Sequence, residues 1–191
     1  MEILEKAILE RGKVLPGNVL KVGSFFNNQM DVRLIQAIGK SIYEHFQDCE
    51  VNKILTVEAS GRGLACITAQ FFDCPVLFAK KSKTANVDGG LYSANCYSYT
   101  HKKQNVLIVP AEYLTKEDKV LVIDDFLAHG EAVRACADLI TQAGATLTGV
   151  AIGIEKGFQG AGDKLRAEGV KLYSAAIIDK MDDGKITFRK D

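Results

Sequence analysis

Apolar residues along this chain fall into two kinds of run, and their alternation predicts most of the elements. Glu2 to Arg11 carries Ile3, Ala7 and Ile8 at helical spacing and stops at Gly12, which predicts a first amphipathic helix. A stronger helical face follows in Leu34, Ile35, Ile38, Ile42 and Phe46, with Asp31 placed to cap its start. Between the two, Val14 to Phe26 is interrupted by Pro16-Gly17-Asn18 and Gly23. That composition predicts a small irregular cap outside the main sheet. Short unbroken apolar runs at Lys53–Val57, Pro75–Ala79, Val120–Ile123, Thr148–Ile154 and Lys171–Ile177 predict strands covered on both faces, as in a parallel sheet. Helical patterns separate them: one reaching Phe72, one from about Glu131 to Ala143 with Val133, Ala137 and Ile140 inward, and a short one from Asp163 to Glu168. Gly144 is placed to close the second of these. Cys96–Tyr99 and Asn105–Val109 read as an antiparallel pair around a turn at 101–104. Ile186–Phe188 reads as an edge strand after Asp183-Gly184. Strand and helix therefore alternate, which predicts an α/β fold with a mostly parallel sheet flanked by helices. No repeat or linker divides residues 1–191, so one domain is expected.

Two stretches do not fit the alternation. Residues 12–30 form the small N-terminal cap, or hood. From Lys80-Lys81-Ser82-Lys83 to Tyr92-Ser93 the chain is polar, basic and without periodicity, and a flexible lid over about 80–99 is the expectation.

Composition narrows the possibilities. With 191 residues, the chain can bury about 70% of its unfolded surface without staples. Lys plus Arg (24) equals Asp plus Glu (24), so no net basic field invites nucleic acid, and any anion site must be local. The five cysteines show no C-x-x-C spacing and read as free thiols packed as small hydrophobes. No apolar run approaches membrane-spanning length and no signal peptide is apparent, so a cytoplasmic protein without membrane contact is expected.

The candidate chemistry lies at strand ends. After Val120–Ile123 come Asp124 and Asp125, then a small-residue loop and the start of a helix: Ala128, His129, Gly130, Glu131, Ala132. Backbone N–H groups of such a loop hold a phosphate, with the helix dipole adding roughly 0.3–1 kcal/mol. The acid pair suits ribose hydroxyls, or Mg²⁺ held through water. Glu58-Ala59-Ser60-Gly61-Arg62-Gly63 is a second glycine-rich loop that opens a helix. It is no dinucleotide fingerprint, because Cys66 stands where a third glycine belongs and no acid follows at the required distance. A pyrophosphate loop fits better. Lys80-Lys81 and Glu155-Lys156 also follow strands, and in this architecture such ends converge on one crevice.

Val120 to Ala132 resembles the phosphoribosyl-diphosphate (PRPP) signature of type I phosphoribosyltransferases. Leu20-Lys21-Val22, Asn27 and Ile154-Glu155-Lys156-x-Phe158-Gln159 extend the likeness over nearly the whole chain, toward the bacterial xanthine phosphoribosyltransferases. The resemblance implies transfer of the 5-phosphoribosyl group from PRPP to N9 of xanthine, giving XMP and pyrophosphate in purine salvage, by a homodimer using Mg²⁺ carried with PRPP. It assigns Asp124 and Asp125 to catalysis, Ala128 to Ala132 with Ser60, Gly61 and Lys80 or Lys81 to PRPP, and Leu20, Asn27 and Lys156 to the base. One departure is the absence of a hydroxyl between Ala128 and Ala132, which leaves the phosphate to backbone N–H groups and His129. Guanine, hypoxanthine or adenine as the base, or a PRPP-sensing regulator on the same fold, are the alternatives. An ammonium at Lys156 favours a 6-oxo group and disfavours the 6-amino group of adenine.

Overall fold

The computed structural model describes residues 1–82, 90–98, 103–182 and 185–190. In chain order its elements are α1 (Glu2–Arg11), β1 (Lys13–Leu15), β2 (Val19–Lys21), α2 (Val32–Phe46), β3 (Lys53–Val57), α3 (Arg62–Phe72), β4 (Val76–Ser82), β5 (Leu91–Ser98), β6 (Lys103–Pro110), β7 (Lys119–Leu127), α4 (Glu131–Gln142), β8 (Thr146–Lys156), α5 (Ala161–Ala167), β9 (Leu172–Asp182) and β10 (Lys185–Phe188). Eight strands form one sheet in the order β10-β9-β8-β7-β3-β4-β6-β5, and β1 and β2 form a separate hairpin. The run from β9 to β4 is parallel; β10, β6 and β5 join antiparallel.

Chain direction across the sheet reverses between β3 and β7. The β3 unit proceeds to β4 on one side, whereas β7 proceeds to β8 and β9 on the other. Loops leaving β3 and β7 therefore part at a switch point, and the gap between them is the crevice.

Two apolar clusters cover the sheet. Along β7, Leu121 and Ile123 join the cluster of α1, α2 and α3, while Val120 and Val122 join that of α4 and α5. Where both faces of a strand are covered, successive positions are apolar, which is why Val120 to Ile123 of β7 reads as an unbroken run. The α2 face is as the periodicity predicts, with Leu34, Ile35, Ile38, Ile42 and Phe46 buried and the Asp31 carboxylate accepting from the Leu34 N–H at 3.3 Å.

The structure revises several expectations. In α1 the inward residues are Leu4, Ala7 and Ile8; Ile3 is 51% exposed. Leu4 completes the i, i+3, i+4 set against α2 and β9, and Ile3 falls outside it. β7 does not end at Ile123 but continues to Leu127, because Phe126 and Leu127 pair with Ile154 and Glu155 of the longer β8. Asp124 and Asp125 thus lie inside the strand. Cys66 is exposed, on the side of α3 opposite Leu64, Ala65 and Ala69.

The lid expected over 80–99 meets paired strand at both ends. Lys80 and Lys81 pair with Ile108 and Leu107, and Leu91 to Ser98 pair with β6. Their polar side chains hid a ladder held by backbone hydrogen bonds, which composition does not report. Residues 83–89 and 99–102, with the first half of the expected turn at 101–104, lie outside the described residues. β5 and β6 pair antiparallel as expected, with Cys96 opposite Asn105, but β6 begins at Lys103, so Lys103 and Gln104 belong to the ladder and not to the expected turn at 101–104.

Candidate active site

Asp125 is the meeting point of three elements. Its Oδ1 accepts from Ser60 Oγ at 3.0 Å, and its Oδ2 from Asn27 Nδ2 at 3.1 Å. The β3–α3 loop, β7 and the hood are thereby joined at one carboxylate. Beside it, Asp124 Oδ1 accepts from the Asp125 N–H at 2.9 Å. Both acids are buried, 9% and 7% exposed. Burial first, then the neighbouring Asp125 charge, pushes the Asp124 carboxyl well above the usual carboxylate range, and nearby Lys81 offsets part of that. A buried acid beside another acid is poised for an incoming group that brings donors or positive charge.

The loop from β3 must come close to this pair. A Cβ on Gly61 would stand 2.5 Å from Thr56 Oγ1 and 2.9 Å from Asp124 Oδ1, so only glycine lets the backbone pass. Arg62 braces the same loop, pairing with Glu58 at 2.9 Å and covering the Phe78 ring at 4.8 Å. Beneath it, the buried Thr56 hydroxyl has no hydrogen-bond partner among the described residues.

A cavity of about 210 Å³ opens over Asp124 and Asp125. Ala128, His129, Gly130, Glu131 and Ala132 all line it, as do Ser60 and Lys81. Gly130 has φ +87°, a conformation that favours glycine, and it turns the chain so that α4 begins with its N–H groups at the cavity wall. The structure therefore brings the acid pair, the small-residue loop, Ser60 and one lysine into one crevice. Lys80 is not part of the lining. Successive strand residues point to opposite faces, so β4 can offer only one of the two lysines, and it is Lys81. Gly61 lies behind the wall, packed on Asp124.

Leu20, Asn27 and Lys156 stand apart from the cavity lining. Leu20 is 7% exposed and packs in the core, while Lys156, the last residue of β8, donates to the Asn18 carbonyl at 3.0 Å. Asn27 connects this group to the cavity through Asp125. The hood is seated by Phe26, which fills the space above Gly153 and meets Phe126 edge-on with centroids 6.5 Å apart.

Glu155 leaves the expected crevice altogether. It is fully buried, accepts from both Arg166 nitrogens at 3.0 and 2.8 Å and from Ser174 Oγ at 2.5 Å, and ties β8 to α5 and β9. Strand alternation sends it to the face opposite Lys156. Cys96, Tyr97 and Asn105 line the cavity from β5 and β6, unanticipated from sequence. An asparagine heading the apolar run Val106-Leu107-Ile108 was the available signal for Asn105.

For a divalent cation, the carboxylates lining the cavity are those of Glu58, Asp124, Asp125 and Glu131, of which Asp124 and Asp125 are adjacent. No group of three or more His, Cys, Asp or Glu side chains is placed to hold a metal among the described residues. Oxygen-only donors with incomplete coordination suit Mg²⁺ shared with substrate oxygens and water.

Residues 23–183 match the phosphoribosyl transferase domain model. The chain is 50% identical over 192 residues to a xanthine phosphoribosyltransferase of Bifidobacterium longum, covering 99% of this chain and 100% of the relative. It is 49% identical over 190 residues to a protein named xanthine phosphoribosyltransferase 2 from Clostridium botulinum, again covering 99% and 100%. Among solved structures, adenine phosphoribosyl transferase of Trypanosoma brucei, in complex with AMP, pyrophosphate and ribose-5-phosphate, superposes with TM-score 0.73 at 19% identity, over 90% of this chain and 78% of that one. The Giardia lamblia enzyme complexed with 9-deazaadenine gives 0.73 at 19%, over 91% and 96%. At these identities the structural matches speak to fold alone, and that fold is the one derived above. From its matching residues 23–183 and relatives half identical over their full length, the chain belongs to the phosphoribosyl transferase domain family.

Proposed function

We propose that the protein transfers the 5-phosphoribosyl group from PRPP to N9 of xanthine, releasing pyrophosphate and forming XMP, as a step of purine salvage. The observation that carries this reading is the convergence at Asp125 of the pyrophosphate-type loop through Ser60 and the hood through Asn27, at the wall of the phosphate-loop cavity. One carboxylate sits where the two substrates would meet. The relatives' names point to xanthine as the base.

Each group then has a task. N–H groups from Ala128 to Ala132 hold the 5-phosphate, with the α4 dipole behind them. Asp124 and Asp125 accept the ribose hydroxyls and place negative charge near C1′. As the bond from C1′ to pyrophosphate breaks, positive charge grows on the ribosyl ring, and fixed carboxylates stabilise that state more than the ground state. Ser60 and Lys81 face the leaving pyrophosphate, Gly61 serves it by letting the loop of Ser60 pass close to Asp124, and Mg²⁺ bound with PRPP would supply charge neutralisation there. Leu20, Asn27 and Lys156 take the base, Lys156 donating to its 6-oxo group. Lys80, outside the cavity, has no part in this scheme.

We take the chain to act as one domain, with the hood at about 12–30, as a cytoplasmic homodimer. No helix among the described residues is long and apolar enough to cross a membrane. The deciding experiment incubates the protein with PRPP, Mg²⁺ and each of xanthine, guanine, hypoxanthine and adenine, with product analysis. XMP formed at the highest kcat/KM is the expected outcome. Preference for adenine would overturn the base assignment, and no product with any base would overturn the reaction.

A further inference from the structure

Asn105 ends a buried apolar stripe at the point where the cavity opens. Successive strand residues alternate sides, so Asn105, Leu107 and Val109 share one face of β6. Leu107 and Val109 are fully buried in the cluster that includes Leu139 and Ile140 of α4. Asn105 is half-buried and lines the cavity, and among the described residues its amide has no hydrogen-bond partner. A carboxamide carries two N–H donors and a carbonyl acceptor. Nothing in the stripe uses them, so their bonding capacity is free for what enters the cavity.

Pairing register fixes what stands beside that amide. Leu107 pairs with Lys81 of β4 on one side of β6, and Asn105 pairs with Cys96 of β5 on the other. Directly paired residues share a face, so Lys81 and Asn105 are diagonal neighbours, both at the cavity wall and within reach of one small anion. Cys96, opposite Asn105, is 7% exposed and offers only a weak donor. The wall formed by β4 and β6 thus presents one ammonium and one neutral amide side by side, on the side of the cavity already assigned to the leaving group through Lys81.

Resting on the reading of the reaction as phosphoribosyl transfer, we propose that Asn105 is a further pyrophosphate-binding residue, its Nδ2 donating to the diphosphate beside Lys81 and orienting it as it leaves. The electron pair of the breaking bond from C1′ to pyrophosphate stays on the pyrophosphate oxygen. The N9 lone pair of the base forms the new bond to C1′, and the base loses its N–H proton to solvent. Negative charge on the diphosphate therefore grows along the reaction, and a donor fixed at the wall strengthens its hydrogen bond as that happens. Lys81 acts there as a point charge, whereas the planar amide adds direction. Being neutral, Asn105 does this without a second full charge that would hold the product back.

The test measures inhibition by pyrophosphate with Mg²⁺ and, separately, by ribose 5-phosphate. Each is titrated against PRPP at a fixed level of the preferred base, in the native enzyme, Asn105→Ala, Asn105→Ser and Asn105→Asp, with Tm as the check on folding. Asn105→Ala should raise the inhibition constant of pyrophosphate about tenfold, the worth of one hydrogen bond to a charged acceptor. It should leave the constant for ribose 5-phosphate and the KM of the base unchanged. Asn105→Ser keeps a shorter donor and should lose less than Asn105→Ala. Asn105→Asp keeps the size but replaces the donor with a negative charge, and should weaken pyrophosphate more than either. A role confined to packing would instead move Tm and both inhibition constants together. A pyrophosphate constant unchanged in Asn105→Ala, or equal rises for pyrophosphate and ribose 5-phosphate, overturns the place of Asn105 while turnover by the native enzyme leaves phosphoribosyl transfer standing. No product from the native protein with any base overturns that reading and this proposal with it.

Discussion

Asn27 donates to Asp125 at 3.1 Å across 98 positions of sequence, so the hood and the central strand share one hydrogen bond at the site. Ser60 holds the other oxygen of the same carboxylate. A residue expected to read the base is therefore fixed by a residue expected to hold the ribose. Asn27→Ala should raise KM for the base on the order of tenfold, the cost of a lost hydrogen bond to a charged group, with less effect on KM for PRPP. Steady-state kinetics with each substrate varied would check this, and equal rises in both constants would separate the hood from the base.

Asp124 couples stability to pH. Its carboxyl is raised in the folded protein by burial and by Asp125, while in the unfolded chain it ionises at its ordinary value. Between the two, the folded state binds more protons, so this group's contribution is fully present below the ordinary carboxylate range and is lost as pH rises through the folded value. Asp124→Asn should accordingly raise the Tm of the ligand-free protein at neutral pH, by about 2–4 °C for each kcal/mol recovered. It should also cut turnover by orders of magnitude. Thermal melts at acid and neutral pH would show a gain that vanishes on the acid side.

Gly61→Ala tests close approach rather than backbone strain. The residue has φ −67°, which any side chain tolerates, yet its Cβ would meet Thr56 Oγ1 at 2.5 Å and Asp124 Oδ1 at 2.9 Å. A loss of about 1–3 kcal/mol in urea unfolding is expected, as for overpacking elsewhere, together with weaker PRPP binding.

The two lysines of β4 should differ. Lys81→Ala removes the cation that lines the cavity and lies near Asp124, and should lower kcat/KM for PRPP by about tenfold or more, as expected for one charge-assisted hydrogen bond. Lys80→Ala should change it little. Equal losses would mean that strand alternation does not decide which lysine serves the site.

Glu155 is buried and its partner Arg166 only partly so, and the two are not interchangeable. Arg166→Met would strand a fully buried carboxylate, at a cost of about 3–5 kcal/mol. Arg166→Met with Glu155→Gln should recover much of that loss. A double-mutant cycle in denaturant measures the coupling directly.

The sequence by itself determined the elements and much of the site's composition. The α2 face, the buried strands around β7, the acid pair and both glycine-bearing loops are local patterns: periodicity follows from which face is buried, and loop chemistry from which backbone a glycine permits. It also determined that polar loops end several parallel strands, which places a crevice at their carboxyl edge. Tertiary structure decided what depends on partners distant in sequence. The end of β7 was set by the length of β8, the extent of β4 and β5 by β6, and the inward side of α1 by α2 and β9. Lys81 rather than Lys80, the burial of Glu155 against Arg166 and Ser174, and the hydrogen bonds from Asn27 and Ser60 to Asp125 likewise emerged only with the fold. Hydrogen-bond and ion-pair partners, and the face a strand residue presents, are fixed by pairing register and packing, and a single chain does not write its register into local composition.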